Sequence, residues 1–307
     1  MNRLLVGFAA SLACYLVSSH AMAAVFSLPQ SQEALIGQVS HAAVQANTPM
    51  MQVGEKYDVG FNALQNANPQ FNLAKPLATQ SNMQIPEAHL LPNMPRQGII
   101  VNLPEMRMYY FLPSSNVVYT FPVGIGKIGN TIPIVTTEIT RKKQNPNWIA
   151  PPDIREFDLK TQGIVVPPVV GPGPNNPLGP YAIYMKLPTY LIHSTIFPES
   201  IGKRASFGCI RMYQFDVQTV FQTVQRGMPV VILNSPVKVG WHSDHLYMEA
   251  HPPLQEHSSD VDSTLPGIVH AITQATTGKP VLVDWQQVTY LAAARDGVPH
   301  DVAFSIR

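Results

Sequence analysis

The chain has 307 residues, with 20 Lys and Arg against 19 Asp and Glu, a formal net charge of +1 and only 13% charged residues, so it offers no broad basic face for nucleic acid. Proline is the outlier: 29 of 307 is nearly twice the usual ~5%, and a residue that lacks an amide donor and clashes inside helices excludes a fold of long helices. A hydrophobic content of 45% excludes general disorder, which leaves a strand-rich and loop-rich chain long enough for about two domains.

Arg3 precedes the apolar run Leu4 to Val17, and Ala21-Met22-Ala23 supplies small residues at the cleavage positions. That pattern predicts a signal peptide over residues 1–23, cut after Ala23, and export of the mature chain. The run is shorter than the ~20 residues that span a bilayer, and no later stretch is long and apolar enough, so no transmembrane segment is expected in the mature chain. Of the two cysteines, Cys14 leaves with the leader and Cys209 stays. No intramolecular disulfide is then possible. A lone thiol in an oxidising compartment favours a nucleophile over a buried spectator.

Residues 41–92 are rich in Asn, Gln and Ala. Phe61, Leu64 and Gln65 have helical spacing before Pro69, and Leu77 to Ile85 reads as a returning strand. With its Asn68-Pro69 and closing Ile85-Pro86, this stretch resembles a LysM module, a small α+β unit, although Ala46-Asn47-Thr48 replaces the usual Gly-Asp-Thr start. The resemblance implies binding of N-acetylglucosamine-containing glycan.

From Gly98 the β-branched and aromatic runs Gly98 to Asn102, Arg107 to Leu112 and Val117 to Phe121 predict an antiparallel meander, with turns at Pro104 and at residues 113–116. Further strands are expected at Ile134 to Thr140, Tyr181 to Met185, Tyr190 to His193 and Val230 to Leu233. Val217, Val220, Phe221 and Val224 mark a helix, with Asp216 as its expected N-cap and Gly227 as its stop. The region 235–307 has weaker periodicity; Ile268 to Thr276 is a candidate helix, and no role follows from the residues.

Three features invite other chemistries. Gly124 to Gly129 spells GxGxxG, but a turn and strand follow it instead of a helix, so it reads as a flexible connecting loop. His242-Ser243-Asp244-His245 has no spaced third ligand group, and no metal is expected. Arg141-Lys142-Lys143 reads as a solvated basic surface.

The chemically informative segments are Leu191-Ile192-His193-Ser194-Thr195 and Ser206-Phe207-Gly208-Cys209-Ile210-Arg211-Met212. A thiol needs a base near neutral pH, and an imidazole at the end of an apolar strand is suited to supply one. Gly208 lets a carbonyl approach the Gly208 and Cys209 amides, which are suited to an oxyanion, while Arg211 is suited to a carboxylate. Here the chain resembles the YkuD-type L,D-transpeptidases, and within them the ErfK-like subgroup, over residues 41 to about 254. Glu105 to Tyr110, Pro122 to Gly129 and Gly173 to Gly179 also fall where that subgroup has similar stretches.

The resemblance implies a mainly β protein: a YkuD-type β-sandwich catalytic domain at 97–234, the LysM-like module at 41–92 before it and an extension at 235–307 after it. It further implies periplasmic action on peptidoglycan stem peptides and glycan without a cofactor. In that scheme Cys209 is the nucleophile, His193 the general base and acid, and the Ser194 backbone carbonyl orients the imidazole; Arg211, Ser206 and Phe207 contact substrate. The acyl acceptor is a second stem or an outer-membrane protein. One departure stands out: Phe207 occupies the position where the family has a histidine. It keeps two other readings open, a non-catalytic wall-binding protein and a hydrolase that uses the same cysteine.

Overall fold

A computed structural model describes residues 24–112 and 115–306. The expected leader, residues 1–23, and part of the turn expected at 113–116 lie outside the described residues. Among the described residues no helix is long and apolar enough to cross a membrane.

The centre of the molecule is a nine-stranded sheet. Its strands run in the order Ala24–Ser27, Val117–Pro122, Arg107–Phe111, Gly98–Asn102, Pro229–Leu233, Val135–Gln144, Tyr181–Met185, Leu191–His193 and Ile210–Arg211. The predicted meander is present, with Ile99 opposite Tyr110 and Tyr110 opposite Tyr119. Gly98–Asn102 and Arg107–Phe111 are buried at every position. Covering on both faces explains why these strands read as continuous apolar runs instead of alternating ones.

The strand Val135–Gln144 extends past the expected Thr140 and takes in Arg141-Lys142-Lys143. Its first half pairs with Pro229–Leu233 and its second with Tyr181–Met185, and an irregularity between Ile139 and Arg141 falls near the start of the second pairing. Such a bulge lets one strand serve two differently directed parts of a sheet. One core takes Ile99, Met108 and Phe121 from the first part and Ile183, Ile192 and Ile210 from the second. Lys142 is not merely solvated: its ammonium donates to the Phe221 and Val224 carbonyls at the end of the motif helix.

Before the sheet, Ser40–Val44 pairs antiparallel with Ser81–Ile85, and between them lie helices α1 (Met50–Tyr57) and α2 (Phe61–Ala67). Val44, Val53, Leu64, Met83 and Ile85 form a separate small core there. Helix α3 (Pro152–Gln162), absent from the sequence expectation, begins on a proline and buries no residue. Helix α4 (Gln214–Thr223) carries the predicted apolar stripe, but its N-cap is Tyr213, not Asp216, and it stops at Val224, short of Gly227. Asp216 points inward from the first turn and is buried.

The region 235–307 is a folded unit. A four-stranded sheet, Val237–His242, His245–Ala250, His300–Ser305 and Val281–Val283, packs against α5 (Leu265–Ala275) and α6 (Trp285–Ala294) around Leu246, Met248, Ile272 and Leu291. Lys238 reaches out of this unit into the centre of the protein. Its ammonium lies 2.9 Å from Glu105 and 2.9 Å from Glu249, and donates to the Leu90 carbonyl and the Tyr109 hydroxyl. Burial alone pushes the Glu105 carboxyl up, but Lys238, His251, His89 and Arg107 together hold it well below the carboxylate range. His89, Glu105 and Glu249 also bring potential ligand atoms within 4.8 Å of one another, and Lys238 supplies the positive charge in their midst. His242 and His245 turn to different acids, Glu33 and Asp301.

Candidate active site

The strand Leu191–His193 lies beside Ile210–Arg211 in parallel, with Ile192 opposite Ile210 and His193 opposite Arg211. The thiol of Cys209, immediately before the second strand, contacts at 3.6 Å the carbonyl of Thr189, two residues before the first. Two sequence segments sixteen positions apart are thereby drawn to one end of the sheet. The Met212 amide donates to the His193 carbonyl at 2.9 Å and fixes the register.

The His193 ring is buried, and its Nδ1 bonds to the Ser194 carbonyl. A carbonyl can only accept, so Nδ1 carries the hydrogen and Nε2 is left with a lone pair. Ser194 is held in turn: its hydroxyl donates to the Leu178 carbonyl at 2.8 Å and accepts from the Tyr181 amide at 3.1 Å. Burial, then the Arg211 charge, lowers the imidazole from 6.5 to about 4. Burial pushes the Cys209 thiol up, against a backbone bond at Leu191 and the Arg211 charge. At neutral pH the resting groups are therefore a neutral thiol and a neutral imidazole, not a preformed ion pair.

The turn before the cysteine is braced from within. Ser206 is buried, and its hydroxyl donates to the Cys209 carbonyl at 2.6 Å while accepting from the Gly208 amide at 3.1 Å. Ser206 thus braces the turn. The Gly208 amide is therefore engaged by a side chain of its own turn, while the Cys209 amide has no such partner among the described residues. Gly208 itself has φ +107, and a Cβ there would stand 2.6 Å from the Tyr190 ring. Only glycine suits that conformation and that approach.

Phe207 is half-buried. Its ring meets Phe157 of α3 edge to face at 5.2 Å between centroids, and the Lys127 ammonium sits 3.6 Å from the centroid of each ring. Lys127 belongs to the glycine-rich segment, which is not a free loop: Ile125–Gly126 pairs in parallel with Arg204–Ser206, and the Lys127 amide donates to the Ser206 carbonyl. Arg211 is largely buried, lies 5.7 Å from the Phe197 ring and forms no ion pair among the described residues; its Nε has no hydrogen-bond partner.

Comparison with known proteins agrees with this geometry. The model of the YkuD family, the L,D-transpeptidase catalytic domain, matches residues 96–232. The Escherichia coli (strain K12) protein named "Probable L,D-transpeptidase YcfS" is 35% identical over 288 residues, which cover 92% of this chain and 89% of that protein. The chain belongs to the YkuD L,D-transpeptidase family. Two more proteins of the same strain, "Probable L,D-transpeptidase ErfK/SrfK" and "Probable L,D-transpeptidase YbiS", are 36% and 33% identical, over 84% and 95% of this chain and 84% and 96% of their own lengths.

In this transpeptidase the structure gathers Cys209, His193, Ser194, Gly208 and Arg211 at one sheet end, and adds residues that the motif does not contain. Phe157 and Lys127 close over Phe207. Arg204, on the strand leading to the motif, pairs through both guanidinium nitrogens with Glu256 of the C-terminal region at 2.8 and 2.7 Å. Lys127 stands inside the GxGxxG letters, which in sequence read as a connecting loop. Nothing in the spacing of α3 announces Phe157, because the helix has no buried stripe.

Proposed function

We propose that this transpeptidase is exported to the periplasm, loses residues 1–23, and rebuilds peptidoglycan cross-bridges through a thioester on Cys209. The observation that carries the reading is the His193 imidazole, its Nδ1 hydrogen tied to the Ser194 carbonyl, on the strand paired with the one that Cys209 opens. That arrangement leaves Nε2 as the base. The substrate is a tetrapeptide stem whose third residue offers its carbonyl carbon to Cys209 Sγ. As the S–C bond forms, the thiol proton passes to His193 Nε2, and the Cys209 amide donates to the developing oxyanion. The bond to the terminal D-alanine then breaks, and the amine leaves with the proton from His193.

In the second half an acceptor amine attacks the thioester, His193 takes its proton, and the C–S bond breaks to return the thiol. The acceptor is a second stem, giving a 3-3 cross-link, or an amine of an outer-membrane protein, giving a tether. Arg211 receives a carboxylate of the stem. The paired strands and two helices of residues 41–92 form a LysM-like module that holds the glycan. Because the resting groups are neutral, proton transfer accompanies attack instead of preceding it.

The test is mass spectrometry of tetrapeptide muropeptides incubated with the purified protein and with Cys209→Ala. Loss of D-alanine with new cross-links, absent in the variant, is expected. Release of D-alanine without a new bond identifies a hydrolase. Substrate left untouched by both proteins, with no acyl adduct on Cys209 from a carbapenem, refutes the enzyme reading.

A further inference from the structure

The most unusual charge environment lies away from the cysteine. Asp58, in the left-handed position that ends α1, and Asp216, on the first turn of α4, are both buried and face each other. Asp58 Oδ1 and Asp216 Oδ2 have no hydrogen-bond partner. Glu55 and Glu87 add further negative charge nearby. Arg107 is the cation within reach, but its Nη1 donates to the Thr120 hydroxyl, its Nη2 to the Asp58 backbone carbonyl, and its Nε faces Glu105 at 3.9 Å. Two buried carboxyls thus share one cation whose hydrogens point elsewhere. Burial pushes Asp58 up to about 6, and burial with the neighbouring Asp58 pushes Asp216 well above its ordinary range. Asp58 and Asp216 also hydrogen-bond to each other, so one of the two carboxyls holds a proton that a second cation would displace.

The other donor to the Asp58 carboxyl is backbone. Ala24 N donates to Asp58 Oδ2 at 3.1 Å. Ala24 opens the edge strand of the large sheet, opposite Thr120, and faces a cavity of about 380 Å³ lined by Ala24, Phe26, Tyr57, Asp58, Glu87 and Arg107. Within a longer chain that nitrogen offers one neutral N–H. As a chain terminus it offers three hydrogens and a full charge. Ala24 is also the first residue after the small-residue cleavage triplet Ala21-Met22-Ala23.

We infer that the Asp58–Asp216 pair is a binding site for the α-ammonium of Ala24, created when the export peptidase hydrolyses the Ala23–Ala24 bond. This rests on the cleaved leader of the preceding section. In that step water adds across the amide: Ala23 leaves as a carboxylate, and the Ala24 amine takes up a proton. The ammonium then ties the edge strand Ala24–Ser27 to α1 through Asp58, and Asp58 in turn meets Asp216 of α4. Helix α4 follows directly on the strand that carries Arg211, so maturation of the leader steadies the helix behind the motif.

The experiment uses the exported, purified protein. Intact mass should place the first residue at Ala24. The α-amine is then labelled with an amine-reactive ester near neutral pH, and the N-terminal peptide is followed by mass spectrometry. Each unit by which the carboxylates raise the amine above its ordinary ~7.7 removes about tenfold of the reactive free base. Labelling should therefore be slowed about tenfold or more relative to Asp58→Asn. A second variant guards against a folding defect in Asp58→Asn: a Gly-Ser insertion before Ala24 keeps both aspartates but moves the charge away, and its Tm should fall by about 5 °C or more.

A mature chain that starts elsewhere, equal labelling in wild type and Asp58→Asn, or an unchanged Tm on insertion would each overturn the inference. Muropeptide turnover is measured on the same samples. An active enzyme with an unpaired terminus sinks only this inference, and a paired terminus on an inactive protein sinks only the proposed function.

Discussion

Replacing Phe207 with alanine should unlatch α3 without unfolding the protein. Helix α3 buries none of its residues, so its seating depends on Phe157 against Phe207 with Lys127 over both rings. An edge-to-face pair contributes about 0.5–1.5 kcal/mol beyond area, and a partly exposed cation over one ring about 0.5–1 kcal/mol. Losing both is about 1–2.5 kcal/mol, or roughly 5- to 60-fold in the equilibrium between seated and unseated helix. A helix of 11 residues is marginal alone in water, so the unseated form exposes its amides. Hydrogen exchange over 152–162 should accelerate by that factor in Phe207→Ala and in Phe157→Ala. The two changes together should go little further, because they remove the same contact. Unchanged exchange in either variant, or fully additive effects, refutes the latch.

Four other outcomes follow from the same geometry. Burial and the Arg211 charge both disfavour imidazolium, so His193 stays a base down to about pH 4; the acid limb of kcat/KM for the free enzyme should lie there, and a limb near 6.5 refutes the assignment. By the same sign the folded chain binds fewer protons at His193 than the unfolded chain between 6.5 and about 4, so this residue's contribution to stability falls as pH drops through that window, as acid titration of urea melts will register. Gly208→Ala should lower the acylation rate by about 10² or more, since a Cβ 2.6 Å from the Tyr190 ring displaces the turn that presents the thiol; burst kinetics with a carbapenem measure it, and a near-normal rate excludes the constraint. Lys238→Met strands Glu105 and Glu249 as buried charges and should cost about 3–5 kcal/mol in urea unfolding, a loss under about 1 kcal/mol being incompatible with the network described.

The strands of the central sheet were readable because their partners are local or their residues continuously apolar, as in Gly98–Asn102 and Arg107–Phe111. The candidate site was readable because its chemistry sits in two short segments. What escaped had its cause elsewhere in the chain. Asp216 has the composition of a cap, but a second carboxyl 158 positions earlier, at Asp58, accompanies its inward turn. The Gly208 amide looks free in sequence, yet a hydroxyl two residues back takes it. Arg141 to Lys143 reads as surface, although ladder pairing with Ala182 to Tyr184 and the carbonyls of α4 give it structure. Helix α3 is held by aromatic edges instead of an apolar stripe, so hydrophobic periodicity had nothing to register.

The Lys238 contacts bear on how far this chain can be taken apart. By sequence it divides into interchangeable pieces, and an engineer would cut near 97 and 234 to express the catalytic portion alone. Glu105 and Tyr109 would remain in that fragment, while Lys238 and Glu249 would leave with the C-terminal piece and the Leu90 carbonyl with the N-terminal one. The excised portion would keep only Arg107, 3.9 Å away, as a charged partner for a buried carboxylate that Lys238 contacts at 2.9 Å in the whole chain. Grafting a different glycan-binding or C-terminal unit onto this enzyme accordingly means transplanting the lysine and its partners as one set.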